Sequence, residues 1–183
     1  MTYKISKYPQ FSVCGLNCGL CPRYYTVGTS RCPGCVGEGF SDVHPSCGIL
    51  SCCQRKGYEY CFECSEFPCK KYNNADKTDS FITTKNLYRD MEKAKNDFDI
   101  YKAELNEKIG ILQELLSNYD DGRRKSFYCL AVNLLELDDI NSVMTQIKDK
   151  VDSQSSLKEQ AKTVASLFRT IADEKGIELK LRK

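Results

Sequence analysis

Histidine occurs once in this 183-residue chain, at His44, so the paired imidazoles that hydrolytic metal sites and proton relays favour are missing. No phosphate-cradling glycine loop, dinucleotide fingerprint or His-Glu-x-x-His helix is present either, and together these gaps argue against catalysis. An excess of one charge is also lacking. The 27 Lys and Arg against 25 Asp and Glu leave a formal charge of +2, too little to recruit DNA or an anionic membrane. Long apolar runs are absent. The stretch up to Ser12 is polar, carries Lys4 and Lys7, and leads into nothing that would act as a signal peptide or span a bilayer. The expected location is the cytoplasm, with no membrane partner.

Aliphatic side chains are scarce in the front half, where Leu16, Leu20, Val27, Val36, Val43, Ile49 and Leu50 stand among recurring glycines. Such a segment buries too little aliphatic surface to offset its backbone entropy unaided. What it has instead is cysteine. Of the 12 in the chain, all but Cys129 fall between Cys14 and Cys69. In a reducing compartment, dense cysteine reads as metal ligation before it reads as a disulfide framework. Thiolate-bound zinc contributes roughly 10 to 16 kcal/mol per site, most of it folding energy because the unfolded chain holds no preformed site.

The spacing carries that reading. Cys18-Gly-Leu-Cys21, Cys32-Pro-Gly-Cys35 and Cys61-Phe-Glu-Cys64 are three Cys-x2-Cys pairs, each able to offer two sulfurs to two corners of a zinc tetrahedron. His44-Pro-Ser-Cys47 is a fourth pair with imidazole in place of one thiol. Cys14, Cys52 and Cys69 stand outside the pairs. Cys53 adjoins Cys52, and since neighbours rarely aim at one tetrahedron, Cys52 is the expected ligand and Cys53 a small bystander thiol. The candidate set is therefore Cys14, Cys18, Cys21, Cys32, Cys35, His44, Cys47, Cys52, Cys61, Cys64 and Cys69, more than two tetrahedra need. Two or three zinc ions are expected. Spacing does not decide between sequential sharing, with Cys18, Cys21, Cys32 and Cys35 on one ion and Cys47, Cys52, Cys61 and Cys64 on the next, and a cross-braced arrangement; sequential is preferred.

Iron and sulfur are the rival. Cys14-x3-Cys18-x2-Cys21 has the spacing of a radical-SAM cluster, and Cys21-Pro22 and Cys32-Pro33 echo ferredoxin runs, but no large barrel of alternating strands and helices follows. A simpler iron–sulfur redox protein stays open, because ligand softness alone does not separate the two metals. The Cys32-Pro-Gly-Cys35 pair also has thioredoxin spacing, without the surrounding βαβ pattern. Cys129, in Ser-Phe-Tyr-Cys-Leu-Ala-Val, reads as a packed small hydrophobe.

The run Cys14-Gly-Leu-Asn-Cys18-Gly-Leu-Cys21-Pro22, then Cys32-Pro-Gly-Cys35, then Cys47-x4-Cys52-x8-Cys61-x2-Cys64-x4-Cys69 with its Glu66-Phe67-Pro68-Cys69 ending resembles the small cysteine-rich prokaryotic proteins grouped as a domain of unknown function. The resemblance covers roughly the first 70 residues and implies zinc binding without any activity. Those proteins often carry cysteine where this chain has His44 and an alanine-like residue where it has Cys53.

The rest reads as helices. Leu87, Met91, Ala94, Phe98, Tyr101, Leu105, Ile109, Leu112, Leu116 and Tyr119 form one apolar stripe at threes and fours, interrupted only by Gly110. Asp120-Asp121-Gly122 marks a stop before a second helix over 123–137. A third begins at Asp138, and Ser156-x-x-Glu159 is a capping box opening a fourth that ends at Gly176. Ile177, Leu179 and Leu181 alternate with charged residues as a short terminal strand would. The expected fold is α+β but mainly helical: an irregular cysteine-rich zinc-binding region, 1–75, packed on a C-terminal helical bundle, 76–183, with the polar segment from Lys70 to Lys77 as junction.

Through Lys71 eight Lys and Arg face five Asp and Glu, and ten thiolates holding two or three Zn²⁺ turn that surplus negative, which speaks against nucleic acid. The expected function is thus a zinc-stabilised protein-interaction module with an unidentified protein partner, and the alternative an iron–sulfur redox or metal-handling protein. The long helical stripe leaves a homodimer open.

Overall fold

The computed structural model describes residues 5–73, 75 and 77–182. The chain is mainly helical: α1 Phe40–Val43, α2 Gly48–Lys56, α3 Leu87–Asn96, α4 Phe98–Tyr119, α5 Lys125–Leu134, α6 Leu137–Lys150 and α7 Leu157–Glu174. Short 3-10 turns occupy Cys18–Leu20, Cys61–Glu63 and Lys70–Tyr72. Contacts divide it into two compact units, Met1–Leu105 with Leu181–Lys183, and Asn106–Lys180. The division falls within α4, and position 75/76 lies inside the first unit.

The first unit is built on aromatic packing. Phe11, 1 % exposed, meets Tyr60 at 5.5 Å, Tyr101 at 5.1 Å and Phe98 at 6.2 Å between ring centroids, and Tyr60 meets Phe98 at 4.8 Å. Rings of this size bury far more area than the scarce aliphatics, and edge-on or tilted pairs add about 0.5–1.5 kcal/mol each. This is why the unit extends to Leu105: Phe98 and Tyr101, on the first turn of α4, are part of the core over which the cysteine segment folds.

A buried polar network adds direction. Asn17 donates to Asp90 Oδ2 at 2.8 Å and accepts from the Tyr101 hydroxyl at 2.7 Å, while Asn86 also donates to Asp90. At 4 % exposure Asp90 is held by hydrogen bonds that stand in for lost water. Asn17 lies between Cys14 and Cys18, so the network fixes the first cysteine motif against α3 and α4. Gly15 supports the same approach. Its φ of +94° suits glycine, and a Cβ there would collide with Met91 of α3.

The apolar stripe of residues 87–119 forms two helices rather than one. Asp97, at φ −155°, leaves helical space, and its Oδ1 accepts from Ile100 N at 3.0 Å, capping α4. Leu115, fully buried, takes the inward place expected of Leu116. Gly110 leaves α4 unbroken.

In the second unit Tyr128, Ala131, Val132 and Leu135 from α5 and the connection after it, Ile140 and Val143 from α6, and Ala161, Val164, Ala165 and Phe168 from α7 are all at 0 % exposure, alongside Leu112 and Leu115 of α4. The Ser156 box forms as expected: Ser156 Oγ accepts from Glu159 N, and Glu159 Oε2 accepts from Ser156 N at 3.0 Å. Helix α6 starts one turn's fraction earlier than expected, at Leu137, with Glu136 as its N-cap. Lys108, 5 % exposed, donates to the carbonyl of Leu135 at the end of α5 at 2.8 Å. A donor there suits the unpaired carbonyls of a helix terminus.

No β-strand occurs among the described residues, which corrects the expected terminal strand. The alternating tail makes its bonds elsewhere. Arg182 N donates to Asp79 Oδ2 at 2.8 Å, its guanidinium meets Asp79 Oδ1 at 3.0 Å, and Asp79 N returns a bond to Arg182 O at 3.1 Å. The Asp79 side chain is fully buried beneath this clasp. Burial alone would raise its carboxyl, but the Arg182 side chain and backbone and Thr84 N–H outweigh that and bring it down to about 2.

Candidate metal centre

None of the twelve cysteines is in a disulfide, and eleven of them belong to the first unit. Two of the three Cys-x2-Cys pairs sit on 3-10 turns, closed by Cys21 N to Cys18 O at 3.1 Å and by Cys64 N to Cys61 O at 3.1 Å. Such turns bring both side chains to one side. The middle pair is positioned from outside: Cys32 N donates to Arg23 O at 3.0 Å, and Cys35 N to Pro9 O at 2.9 Å. Gly34, φ +89°, lies so close to the Pro9 carbonyl that any Cβ would overlap it. Val36 follows in left-handed space at φ 59°, a costly conformation for a β-branched residue.

Two groupings emerge. The first gathers Cys18, Cys21, Cys32 and Cys35 with Cys14 and Cys47 at its edge: Cys18 feels Cys35, Cys14 and Cys21, Cys21 feels Cys32, and Cys35 feels Cys14, Cys47 and Cys32. Burial pushes the Cys18 and Cys21 thiols up and the Cys35 thiol up to about 12. Opposing it, the N–H groups of Arg23 and Tyr24 are aimed at the Cys21 sulfur and that of Cys35 at the Cys18 sulfur. Backbone donors on a buried sulfur favour its thiolate, the form a cation needs.

In the second, Cys52, Cys53, Cys61, Cys64 and Cys69 line one cavity of about 30 Å³ with Tyr72 and Phe67, and Lys56, Glu66 and Lys71 stand around it. The cavity is partly open to solvent. Helix α2, which the sequence reading did not anticipate, carries Cys52 and Cys53; Cys47 caps it, its sulfur accepting from Leu50 N at 3.5 Å. Lys56 Nζ lies 3.5 Å from Cys64 Sγ and 3.1 Å from Glu66 Oε2. The Cys53 and Cys61 sulfurs are 3.1 Å apart. Cys61 is held below the ordinary thiol range by the Cys53 hydrogen bond first, against burial, with help from the Tyr72 hydroxyl.

Cys14 lies between the groupings. Burial raises it to about 11, eased by the Ser12 hydroxyl 3.1 Å from its sulfur, and it couples to Cys18 and Cys35 as well as to Cys47 and Cys61. His44 is exposed, stacked on Phe40 at 4.5 Å, with Nδ1 2.8 Å from the Pro45 carbonyl. A carbonyl only accepts, so Nδ1 is the donor in this contact. Cys129 is buried in α5, in the other unit. Among the described residues no group of three or more His, Cys, Asp or Glu side chains could hold a metal ion as it stands. Cys53 and Tyr72 also line the cavity: adjacency to Cys52 set the first aside as a ligand, and nothing in the spacing marked the second.

The first unit is thus a cysteine-rich domain, and a helical unit follows it along the chain. Residues 10–74, which span every cysteine of that domain, match the model of a family described as "Protein of unknown function (DUF3795)". No curated protein and no solved structure matches the chain. Among the described residues, no helix is long and apolar enough to cross a membrane.

Proposed function

We propose that the first unit is a zinc-stabilised protein-interaction module in which thiolates hold two or three structural ions. The observation that carries this is the gathering of thiols in one unit: Cys18, Cys21, Cys32 and Cys35, with Cys14 beside them, have backbone N–H groups aimed at Cys18 and Cys21, and five further cysteines surround one cavity. Cys18, Cys21, Cys32 and Cys35 would hold one ion, and Cys52, Cys61, Cys64 and Cys69 a second, after small side-chain rotations that bring each set inward. Cys14, Cys47 and His44 are the remaining donors, and a third ion would need a thiolate shared from a neighbouring set. His44 suits the part, since ligating imidazoles commonly donate their other nitrogen to a carbonyl.

Bound zinc would contribute cross-linking and folding energy here rather than an open coordination position. The fit is chemical. Buried thiols whose charge is disfavoured by their surroundings become favourable thiolates once a divalent cation lies among them. With thiolate sites that leave no coordination position open, the unit would act by presenting its surface to another protein.

The test is elemental analysis of reduced protein purified without oxygen. Two or three equivalents of zinc, a colourless solution and loss of tyrosine near-UV signal on chelation are expected. A brown protein with iron and sulfide would replace zinc by a cluster. A metal-free protein with its tyrosine signal intact would end the metal reading, and rapid zinc exchange with a chromophoric chelator under native conditions would turn it into a metal-handling one.

A further inference from the structure

Cys53 has no part in the metal sets above, yet it faces them. It is 3 % exposed on the inner side of α2, and its sulfur stands 3.1 Å from that of Cys61, itself 9 % exposed. Two sulfurs on one zinc tetrahedron, with bonds near 2.3 Å, would be about 3.8 Å apart. A disulfide needs about 2.05 Å. The pair is therefore closer than shared ligation asks and about 1 Å from bonding distance. The backbone holds this approach from both ends: α2 stops at Gly57 in left-handed space, Tyr58 N returns to Cys53 O at 3.0 Å, and Cys61 N is fixed on Val13 O at 2.9 Å. Both residues line the same solvent-connected cavity.

We propose that Cys53 and Cys61 form a reversible disulfide with hydrogen peroxide, and that this oxidation withdraws Cys61 from the second metal set and releases that ion. The release rests on the metal reading above; the disulfide does not. In the first step the Cys61 sulfur attacks one peroxide oxygen, the O–O bond breaks, and a sulfenic acid forms as hydroxide leaves. In the second the Cys53 sulfur attacks the Cys61 sulfur, the S–O bond breaks, and its hydroxyl departs with the Cys53 proton as water. Two sulfurs are oxidised by two electrons in total, one peroxide is reduced, and a thiol reductant reverses the bond.

The experiment treats the purified, reduced full chain with stoichiometric hydrogen peroxide, follows zinc with a chromophoric chelator, and maps linkages by fragmentation mass spectrometry of unreduced digests. Expected are a Cys53–Cys61 link, release of one zinc equivalent, and recovery of both after dithiothreitol and added zinc. Cys53→Ser should bind the same zinc as the natural chain and release little on the same peroxide, while Cys129→Ser behaves as the natural chain. Absence of the link in the natural chain overturns the proposal without any variant. A link formed with all zinc retained overturns the release, and loss of an ion from untreated Cys53→Ser makes Cys53 a ligand and overturns the assignment. A link in a chain that never held zinc supports the sulfur pair and defeats the metal reading alone.

Discussion

The Asn17 amide donates to the Asp90 carboxylate at 2.8 Å across 73 residues of chain, so the cysteine motif and α3 are joined by a buried hydrogen bond. Replacing Asp90 by Ala leaves the Asn17 and Asn86 amides without this acceptor. Urea denaturation of the metal-loaded chain should show a loss of about 2–4 kcal/mol. A loss under 0.5 kcal/mol would mean that water satisfies these groups in the variant at no cost.

Gly34 and Gly57 both lie at positive φ, but only Gly34 has a wall beside it. Gly57→Ala, in open space, should cost about 1 kcal/mol of backbone strain. Gly34→Ala must also push away the Pro9 carbonyl that holds Cys35 N, so it should cost well over 2 kcal/mol and lower the zinc content measured by elemental analysis. Equal effects of the two substitutions would remove the close approach as the reason for glycine.

Asp79 gives the fold a pH signature. Its carboxyl falls from 3.8 to about 2 in the folded chain, so its contribution is complete above pH 5 and fades as pH falls through 4 toward 2. The stability gap between the natural chain and Asp79→Asn should be about 1–2 kcal/mol at pH 7 and shrink over that window. Comparing the two proteins at each pH isolates Asp79. A gap independent of pH would show that packing, rather than the Arg182 clasp, is what the substitution removes.

Ser156→Ala removes an N-cap whose Oγ serves Glu159 N, worth about 1 kcal/mol. Thermal unfolding of the helical signal should move down by a few degrees while zinc content stays unchanged. A drop in zinc would tie the cap of α7 to the cysteine domain.

The sequence made local chemistry legible and tertiary exchange much less so. Cysteine spacing led to the segment that the family match spans, and the Ser156 box and the stop after Tyr119 are where their residue types put them, because caps depend on three or four neighbours. The break at Asp97 was hidden since α3 and α4 carry inward residues in near-continuous register across a single extended position. Helix α2 was hidden because Gly48-Ile-Leu-Ser-Cys-Cys has little helical period, and Cys47 and Gly57 set its ends. The front unit looked coreless because aliphatics alone were counted, while Phe11, Tyr60, Phe98 and Tyr101 supply the packing. The tail looked like a strand, but a charged side chain and one backbone exchange with Asp79 take its hydrogen bonds. At the candidate metal centre the cysteine pairs are legible from spacing; that Cys53 turns inward beside Cys61 depends on where α2 begins.

Tyr128 of α5 aims its hydroxyl at two carbonyls, that of Tyr119 at 3.0 Å and that of Ala161 at 3.4 Å, with one hydrogen to give. The nearer acceptor is the final residue of α4, whose carbonyl has no amide four places on within that helix. The stop itself is local, at Asp120-Asp121-Gly122, and the phenol of α5 fastens the carbonyl end that the stop leaves open. In this unit the end of one helix is pinned by the side of the next.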